Sequence, residues 1–298
     1  MDKEFPLVSV VIITYNSADT IIETLNSIKL QSYDKIELII SDDCSSDNTI
    51  SLIENWVDKN KHRFVKIIIL KSSNNTGVCA NLNRAIDSAN GEWIKGLAGD
   101  DILNGSAIEE YVKFVLSNQC DICFAKMNTF GINEEANQKC SDYLEKLYEY
   151  LKLPTREKQY KASLKRHILP GPGIFYRKDF WTFIGKFNEK YPFAEEYDFQ
   201  LRVFKTSKVY FLDKYIVNWR IRPNSLSNQI NPYSYKSDYD FFYDVKIKYL
   251  LREKMYLYIW DEIINLKIKE ASLKGKRMYR YLYMLSPVWL YNTFLKGK

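Results

Sequence analysis

The fold of this chain is indicated by the stretch Val8-Ser9-Val10-Val11-Ile12-Ile13, which runs into Thr14-Tyr15-Asn16. A short, almost entirely apolar run without charged residues is typical of a strand buried on both faces, as in a parallel sheet. Between about residues 18 and 30, apolar side chains recur at helical spacing, at Ile21, Leu25 and Ile28. A buried strand followed by an amphipathic helix is the first half of a βαβ unit.

The same alternation continues through the first hundred residues. It predicts further strands at 36–40, 64–70 and 91–97, and helices that end near residue 57 and span 77–89. Because parallel strands bring their carboxyl ends together, we expect Tyr15, Asp42 and Asp100 to lie on one rim. The sequence therefore predicts an α/β fold with a mostly parallel central sheet flanked by helices.

Beyond residue 121 the pattern is weaker. The polar region 133–163 predicts a helix at about 142–151 within an otherwise irregular, mobile excursion. Pro170-Gly171-Pro172-Gly173 predicts a turn before a short strand at 174–176. Residues 233–273 are expected to be mainly helical.

Composition limits the class of protein. The 298 residues are 46% hydrophobic, which is enough for a sizeable core. The five cysteines are scattered, the first residues are charged, and the longest apolar run, 7–13, is far shorter than the roughly 20 residues that cross a bilayer. We therefore expect a cytoplasmic protein without a leader or a membrane span.

The net charge of +6 is concentrated at the end of the sequence. Residues 271–298 contain six basic side chains, six aromatic ones and no acidic one. Such a composition favours an anionic membrane surface. Nucleic acid would also attract the charge, but the many apolar residues there favour lipid, so we expect no nucleic-acid partner. A final helix packed on the protein's own core is the alternative.

Acidic pairs follow predicted strands at Asp42-Asp43 and Asp100-Asp101, and a third cluster begins at Glu195-Glu196. Carboxylates crowded on one rim repel one another, which is tolerable where a cation binds. Magnesium-type ions on nucleotide diphosphates are held by one or two carboxylates, with phosphate oxygens and water completing the shell. The sequence therefore predicts Asp100 and Asp101 as metal ligands.

These motifs together resemble glycosyltransferase family 2, across about 230 residues. The resemblance is carried by Val8 to Asn16, by Ile39-Ile40-Ser41-Asp42-Asp43-Cys44-Ser45-Ser46-Asp47-Asn48-Thr49, and by Gly99-Asp100-Asp101. It implies a GT-A fold and an inverting, metal-dependent transfer from a UDP-sugar. Thr14, Tyr15 and Asn16 would cradle the nucleotide, and Asp42 would accept a hydrogen bond from N3–H of uracil. Asp100 would lie near the ribose or the metal, and Asp101 would contact Mn²⁺ or Mg²⁺ with the diphosphate.

Two positions depart from the family pattern. Ala98 stands where relatives have the first carboxylate of an Asp-x-Asp-Asp motif, so one metal ligand is missing. In Asn81-Leu82-Asn83-Arg84 the arginine is displaced, and one residue turns a helical side chain by about 100°. The role of Arg84 is therefore left open.

The segment Glu195-Glu196-Tyr197-Asp198-Phe199-Gln200-Leu201-Arg202 resembles the family element Glu-Asp-x-x-x-x-Leu-Arg. Alignment at Arg202 makes Glu196 the general base that deprotonates the acceptor hydroxyl. Glu195 would orient it or bind acceptor hydroxyls. Asp198 is the competing base, or else the partner of a nearby cation.

Two further residues are candidates by position. Arg222 lies in a segment that corresponds to a family loop over the diphosphate, where its guanidinium would contact phosphate or be a simple surface charge. Gly173 would let the backbone approach the donor sugar, or belong to a plain tight turn. Cys120 and Cys123 lack a second pair and are expected to be structural, and His62 and His167 lack partners for a hydrolytic triad.

We therefore expect a GT-A domain at 1–230, with a nucleotide-binding half at 1–105 and an acceptor half at 106–230, and a helical membrane-association region at 231–298. The resemblance implies transfer to a lipid-linked or oligosaccharide acceptor, in bacterial polysaccharide, O-antigen or capsule synthesis at the inner face of the cell membrane. A catalytically inactive relative that only binds a sugar nucleotide or glycan is the alternative.

Overall fold

The computed structural model describes residues 5–131, 134–222, 232–274 and 285–287. Its strands are β1 (Val8–Thr14), β2 (Ile36–Asp42), β3 (Lys66–Lys71), β4 (Trp93–Ala98), β5 (Ile102–Leu103), β6 (Ile122–Phe130), β7 (Ile174–Arg177) and β8 (Tyr210–Arg220). The strands expected in the first hundred residues are confirmed, with ends that differ by a few residues.

The helices are α1 (Ile21–Lys29), α2 (Thr49–Asn60), α3 (Val78–Asp87), α4 (Ala107–Asn118), α5 (Glu134–Leu151), α6 (Arg156–Lys165), α7 (Lys178–Ile184), α8 (Glu195–Thr206), α9 (Pro232–Phe241), α10 (Ile247–Arg252) and α11 (Tyr256–Leu273). Short 3-10 turns occupy 61–63 and 171–173, and a π turn at 242–246 joins α9 to α10. The helical character expected for 233–273 is confirmed.

One sheet contains all the strands of the described residues, in the order β3-β2-β1-β4-β7-β6-β8-β5. The first half, β3-β2-β1-β4, is parallel throughout. The second half is mixed, because β7 runs antiparallel to both β4 and β6, whereas β8 is parallel to β6. The predicted α/β architecture with a mostly parallel sheet is therefore confirmed.

Strand β1 lies in the middle of the parallel half, between β2 and β4. Its residues Val8 to Ile12 are fully buried, as expected for a strand covered on both faces. In register, Thr14 lies beside Asp42, and Ile13 lies beside Ala98. The carboxyl ends of β1, β2 and β4 therefore form one rim.

The region expected to be an irregular excursion is instead helical. Helix α5 begins at Glu134 and buries Leu144, Leu147 and Tyr148, and α6 follows it. The buried Gln159 amide donates to the carbonyls of Leu151 (2.7 Å) and Val209 (2.9 Å), which fixes α6 between α5 and β8. The expectation of an irregular backbone was wrong, because these side chains join α5 and α6 to the body of the protein.

A second hydrophobic core joins the C-terminal helices to the rest of the chain. It combines Leu164, Tyr191, Ala194 and Leu201 with Phe241, Phe242, Leu250 and Leu266. Helices α9 to α11 therefore pack on α6 and α8. The proposed domain boundary near residue 230 stays a prediction.

Most of the basic aromatic segment, 275–284 and 288–298, lies outside the described residues. The described part near its middle touches α11, because Trp260 Nε1 donates to the Leu285 carbonyl (3.2 Å) and the Ser286 hydroxyl donates to Asp261. In the described part of the chain, no helix is long and apolar enough to cross a bilayer.

Glu37 is a buried carboxylate that ties three parts of the parallel half together. It lies in β2 with 1% of its surface exposed. It accepts hydrogen bonds from the Ser9 hydroxyl (2.6 Å), the Asn90 backbone amide (2.7 Å) and the Asn90 side chain (2.8 Å). Burial opposes ionisation, but the hydrogen bonds from Asn90 and Ser9 outweigh it and lower the pKa of Glu37.

We expect Glu37→Gln to lower the free energy of unfolding by about 1–3 kcal/mol at pH 7, because one amide oxygen cannot accept from all three donors. A depressed folded-state pKa stabilises the fold above the unfolded pKa, about 4.3, and this contribution disappears as the pH falls through the folded pKa. Urea denaturation at pH 7 and near pH 3 measures the difference between the two proteins. A difference that stays constant with pH would contradict this assignment.

Candidate active site

Asn16 connects the loop after β1 to the loop after β2. It has a positive φ of 48°, and its side-chain oxygen accepts from the Ser46 backbone amide (2.8 Å). Its own backbone amide donates to the Ser45 hydroxyl (2.8 Å). The neighbouring Tyr15 is 48% exposed, so a flat aromatic face is available at the rim beside the end of β1.

Asp42 is buried and shapes one of these loops. One carboxylate oxygen accepts from the Ser45 backbone amide (2.8 Å) and the other from the Ser45 hydroxyl (2.5 Å). Thr14, its neighbour on β1, has a buried hydroxyl with no hydrogen-bond partner among the described residues. The predicted contact of Asp42 with uracil stays a prediction.

Asp43 has a larger role in the geometry than the sequence indicated. Its carboxylate accepts from the backbone amides of Thr76 (2.9 Å) and Gly77 (2.7 Å), and from the Thr76 hydroxyl (2.6 Å). Arg84 lies 3.2 Å from the same carboxylate. Adjacent residues at a strand end point to opposite faces, and this was the signal that Asp42 and Asp43 must differ in role.

Arg84, whose role the sequence left open, binds side chains at the end of β2 and on α3. Besides Asp43, it donates to the Asn81 side chain (2.8 Å) and the Ser41 hydroxyl (3.2 Å). Arg84 therefore fastens the start of α3 to the end of β2.

Asp101 is the most deeply buried carboxylate on the rim, with 1% exposure. One oxygen accepts from the Arg220 backbone amide (2.9 Å). The other is buried and has no hydrogen-bond partner among the described residues. Burial, followed by the charge of Asp100, raises the pKa of Asp101 to about 7. Burial also raises the pKa of Asp100, against the attraction of Arg222 and Arg220.

This arrangement fits a divalent cation that shares its coordination with a diphosphate. Asp101 supplies a buried oxygen without a partner, and Asp100 supplies a second carboxylate beside it. Ala98 supplies none, and the described residues contain no group of three or more His, Cys, Asp or Glu side chains that could hold a metal. An ion here would take its remaining ligands from phosphate oxygens and water.

Arg220, the last residue of β8, and Arg222, two residues later, both contact Asp100. Arg222 Nε lies 3.1 Å from an Asp100 oxygen, and its guanidinium donates to the Thr20 hydroxyl (2.7 Å). Arg220 donates to the Asp100 carbonyl (2.8 Å) and pairs with Glu23. Both cations therefore hold the Asp100 segment, and the predicted phosphate contact of Arg222 stays a prediction.

Glu196 lies in the first turn of α8 with one oxygen fixed and one accessible. Oε1 accepts from the Gly171 backbone amide (2.8 Å), and Oε2 lies 3.6 Å from His167 Nε2. The side chain is 37% exposed. A general base needs such an oriented carboxylate with an open oxygen.

His167 was not selected from the sequence. Burial lowers its pKa, against the attraction of Glu196, and its Nε2 lies 3.2 Å from the Leu169 carbonyl. The turn at 168–171 brings His167 close to Glu196, and no local sequence pattern predicts that contact.

The other two acids of the cluster have different environments. Asp198 is buried and forms a salt bridge with Arg202, at 3.0 Å to Nε and 2.8 Å to Nη2. This is the alternative to catalysis that the sequence left open for Asp198. Burial and the adjacent charge of Glu196 raise the pKa of Glu195.

Lys95 connects β4 to the turn whose Gly171 amide binds Glu196. Its ammonium is fully buried and donates to the carbonyls of Gly96 (2.9 Å) and Pro172. Burial lowers its pKa to about 7, against the attraction of Asp101. Pro172 directly follows Gly171, whose amide binds Glu196, so the two groups border one region.

Helix α3 gives a second link between the two sides. The amide of Gly77, at its N-terminus, binds Asp43. Two residues further on, burial and then the charges of Glu195 and Glu189 raise the pKa of the Cys79 thiol. The start of α3 therefore lies near both the end of β2 and the start of α8.

The two glycines of the 170–173 turn have different reasons for lacking a side chain. A Cβ on Gly171 would lie 2.6 Å from Glu196 Oε1. A Cβ on Gly173 would overlap the ring of Phe124 and lie 2.9 Å from the Ala125 carbonyl. Gly171 is thus the glycine that borders Glu196, and the structure gives Gly173 a packing role.

The sequence model described as glycosyl transferase family 2 matches residues 9–183, which is more than half of the chain. A Methanocaldococcus jannaschii glycosyltransferase, itself uncharacterized, is 28% identical over 233 residues, covering 76% of this chain and 75% of its own length. The poly(ribitol-phosphate) beta-N-acetylglucosaminyltransferase TarS of Staphylococcus aureus is 30% identical over 127 residues, or 42% of this chain and 21% of TarS. The chain spans only part of the length of other curated relatives that it matches, 36% of one and 46% of another.

Solved structures show the same architecture. TarS 1–349 in complex with UDP-GlcNAc matches with a TM-score of 0.60 at 19% identity, over 97% of this chain and 76% of that one. The mannosyltransferase PcManGT of Pyrobaculum calidifontis, in complex with GDP-Man and Mn²⁺, matches with a TM-score of 0.57 at 14% identity, over 97% and 73%. At these identities the likeness shows the fold alone, and it confirms the expected GT-A fold.

We expect Gly171→Ala and Gly173→Ala to differ in stability. Gly171→Ala displaces only the flexible end of Glu196, so the free energy of unfolding should change by less than about 1 kcal/mol. Gly173→Ala presses on a buried ring and a backbone carbonyl and should cost about 1–3 kcal/mol. Chemical denaturation of the two variants measures this, and equal losses would contradict the packing described.

Proposed function

Because this chain belongs to glycosyl transferase family 2, we propose that it transfers a sugar from a UDP-sugar to a hydroxyl group of a lipid-linked or glycan acceptor, with inversion. The observation that carries this proposal is the Glu196 carboxylate, which is 37% exposed and is oriented by the Gly171 amide at Oε1. We infer that it faces the same substrate as Asp100 and Asp101, because Lys95 joins the strand that leads to them to the 170–173 turn.

The donor half of the site would bind the nucleotide. Tyr15 offers an exposed ring for the base, and Asn16 holds the loop around it through Ser45. Thr14, whose buried hydroxyl has no partner among the described residues, would flank the nucleotide. Asp42 would read N3–H of uracil, a donor that cytosine lacks. The structural relative TarS was solved in complex with UDP-GlcNAc, which supports a UDP-sugar as the class of donor. The sugar itself is not specified by these residues.

A divalent ion, Mn²⁺ or Mg²⁺, would be held by Asp101 and Asp100. When bound, such an ion neutralises the charge that develops on the departing diphosphate. The Asp101 oxygen that has no partner among the described residues supports this assignment, as does the structural relative PcManGT, which was solved with Mn²⁺. Arg222 would steady Asp100 and approach the diphosphate.

The acceptor half would carry out the proton transfer. Glu196 takes the proton of the acceptor hydroxyl as its oxygen attacks the anomeric carbon and the bond from that carbon to UDP breaks. The Gly171 amide keeps the carboxylate oriented, and Glu195 would help to bind acceptor hydroxyls. Single displacement with the base on the acceptor side inverts the anomeric centre.

A role in bacterial surface polysaccharide synthesis at the inner face of the membrane completes the proposal. TarS is named as a poly(ribitol-phosphate) glycosyltransferase, which supports a surface-polymer acceptor. The basic and aromatic residues of 271–298 support docking on an anionic membrane surface.

We expect Glu196→Gln to lower transfer at least about a hundredfold, because an amide cannot accept the proton. UDP affinity, measured by calorimetry, should change less than about twofold, because Glu196 lies on the acceptor side. Glu195→Gln is the matched control on the same helical turn and should lose less. Transfer retained by Glu196→Gln would eliminate Glu196 as the base.

A panel of UDP-sugars with Mn²⁺ or Mg²⁺ tests the enzyme against an inactive binding relative, which Ala98 keeps as the second candidate. We expect slow release of UDP from at least one UDP-sugar, and its loss in Asp101→Asn, because the ion would lose its buried ligand. Binding without UDP release from every sugar would favour the inactive relative.

A further inference from the structure

A cavity of about 190 Å³ lies between α6, α8 and the C-terminal helices α9 and α11. Its charged lining consists of four cations and two carboxylates: Lys165, Arg166, Lys246, Lys269, Asp238 and Glu262. None of these residues belongs to the site proposed for the donor. The volume is smaller than the roughly 300–1,000 Å³ of pockets that enclose whole organic ligands, so it suits a small charged group.

The two carboxylates neutralise only two of the four cations. Lys246 pairs with Glu262, and Lys269 Nζ lies 2.6 Å from Asp238. Lys165 and Arg166 have no carboxylate within ion-pair distance among the described residues. Their charged groups instead lie over the rings of Tyr258 (4.9 Å) and Tyr150 (4.8 Å). The cavity therefore has an excess of two positive charges.

Lys246, one of the two paired cations, is a buried part of the cavity lining. Lys246, in the π turn at 242–246, is 3% exposed, and its ammonium lies 4.3 Å from the centre of the Tyr197 ring. Electrostatic attraction is stronger beside such desolvated groups than in bulk water. Lys165 and Arg166 also line the cavity and are exposed, so a ligand can reach them from solvent. The cavity thus combines two accessible cations without a carboxylate partner among the described residues and a buried Lys246–Glu262 pair.

The cavity adjoins the proposed base at two points. Arg166 lines it, and the next residue, His167, has Nε2 at 3.6 Å from Glu196. Tyr197 also lines it and directly follows Glu196 on α8. Consecutive Cα atoms are about 3.8 Å apart. An anionic group in the cavity and a hydroxyl at Glu196 can therefore belong to the same acceptor molecule.

We propose that this cavity is an acceptor subsite that binds a phosphate group, with Lys165 and Arg166 as its principal contacts. This inference rests on the proposed function and deepens it, because it gives the acceptor a phosphorylated character. Both a polyol phosphate chain and a lipid-linked diphosphate offer this chemistry. A neutral oligosaccharide does not.

The test is calorimetric titration of the full chain with glycerol 3-phosphate and, separately, with a short prenyl diphosphate. Saturating UDP fills the donor side, and sodium chloride keeps the ionic strength constant. We expect both probes to bind, with the tighter one identifying the source of the phosphate. Lys165→Ala and Arg166→Ala should each weaken binding about tenfold, the size expected for one charge-assisted contact.

Lys161→Ala is the matched control, because it removes an exposed lysine one turn earlier on α6 that does not line the cavity. It should leave probe affinity within about twofold. Equal weakening by Lys161→Ala, or no binding of either probe, would overturn the subsite. Unfolding midpoints of all three variants show whether each is folded.

UDP-sugar hydrolysis by the unmodified chain separates the two proposals. If UDP is released but neither probe binds, the phosphate subsite is overturned and the glycosyltransferase proposal stands. If no UDP-sugar is hydrolysed, the proposed function fails, and the assignment of this cavity to an acceptor fails with it.

Discussion

The arrangement of the site depends on the buried ammonium of Lys95. This side chain extends from the middle of β4 and donates to the Pro172 carbonyl in a turn that lies far away in sequence. A buried charge is unfavourable unless its hydrogen-bonding capacity is met, and here backbone carbonyls meet it. The parallel half of the sheet and the 170–173 turn are thereby fixed relative to one another. Lys95 therefore holds the strand that leads to the acidic rim against the turn whose Gly171 amide binds Glu196.

The carboxylates around the rim are crowded, yet each has a different partner. Asp42 accepts hydrogen bonds from Ser45 and Asp43 accepts them from the start of α3, so both hold loops at the rim in place. Asp101 keeps an oxygen without a partner among the described residues, and Glu196 Oε2 accepts no hydrogen bond among them in a side chain that is 37% exposed. Asp101 and Glu196, each with a carboxylate oxygen that accepts no hydrogen bond among the described residues, are those to which metal binding and proton transfer are assigned. The roles of these acids therefore depend on which of them are bound by backbone amides or arginines, because the side chains themselves are chemically alike.

The first hundred residues could be predicted from sequence because their strands are short, apolar and separated by helices of clear period. Strand β8 was not anticipated, since burial along it does not alternate and its pairing with β6 shifts register after Ala125. Helix α5 is longer than expected because its apolar positions are few, although Leu144 and Tyr148 anchor it. The contact of His167 with Glu196 depends on the path of a turn, and no pattern in the sequence encodes it. By contrast, the pairing of Asp198 with Arg202 follows from their spacing of four residues on a helix.

The second hydrophobic core has a consequence for how this protein can diverge. Helix α8 carries Glu196 in its first turn, while Leu201, further along, is packed against the C-terminal helices. A substitution in α9 or α11 that shifts this packing would tilt α8 and displace its first turn. Sequence change in α9 to α11 is therefore constrained by the proposed catalytic role of α8, and acceptor preference would change more readily through the exposed residues Lys165 and Arg166 than through the second hydrophobic core.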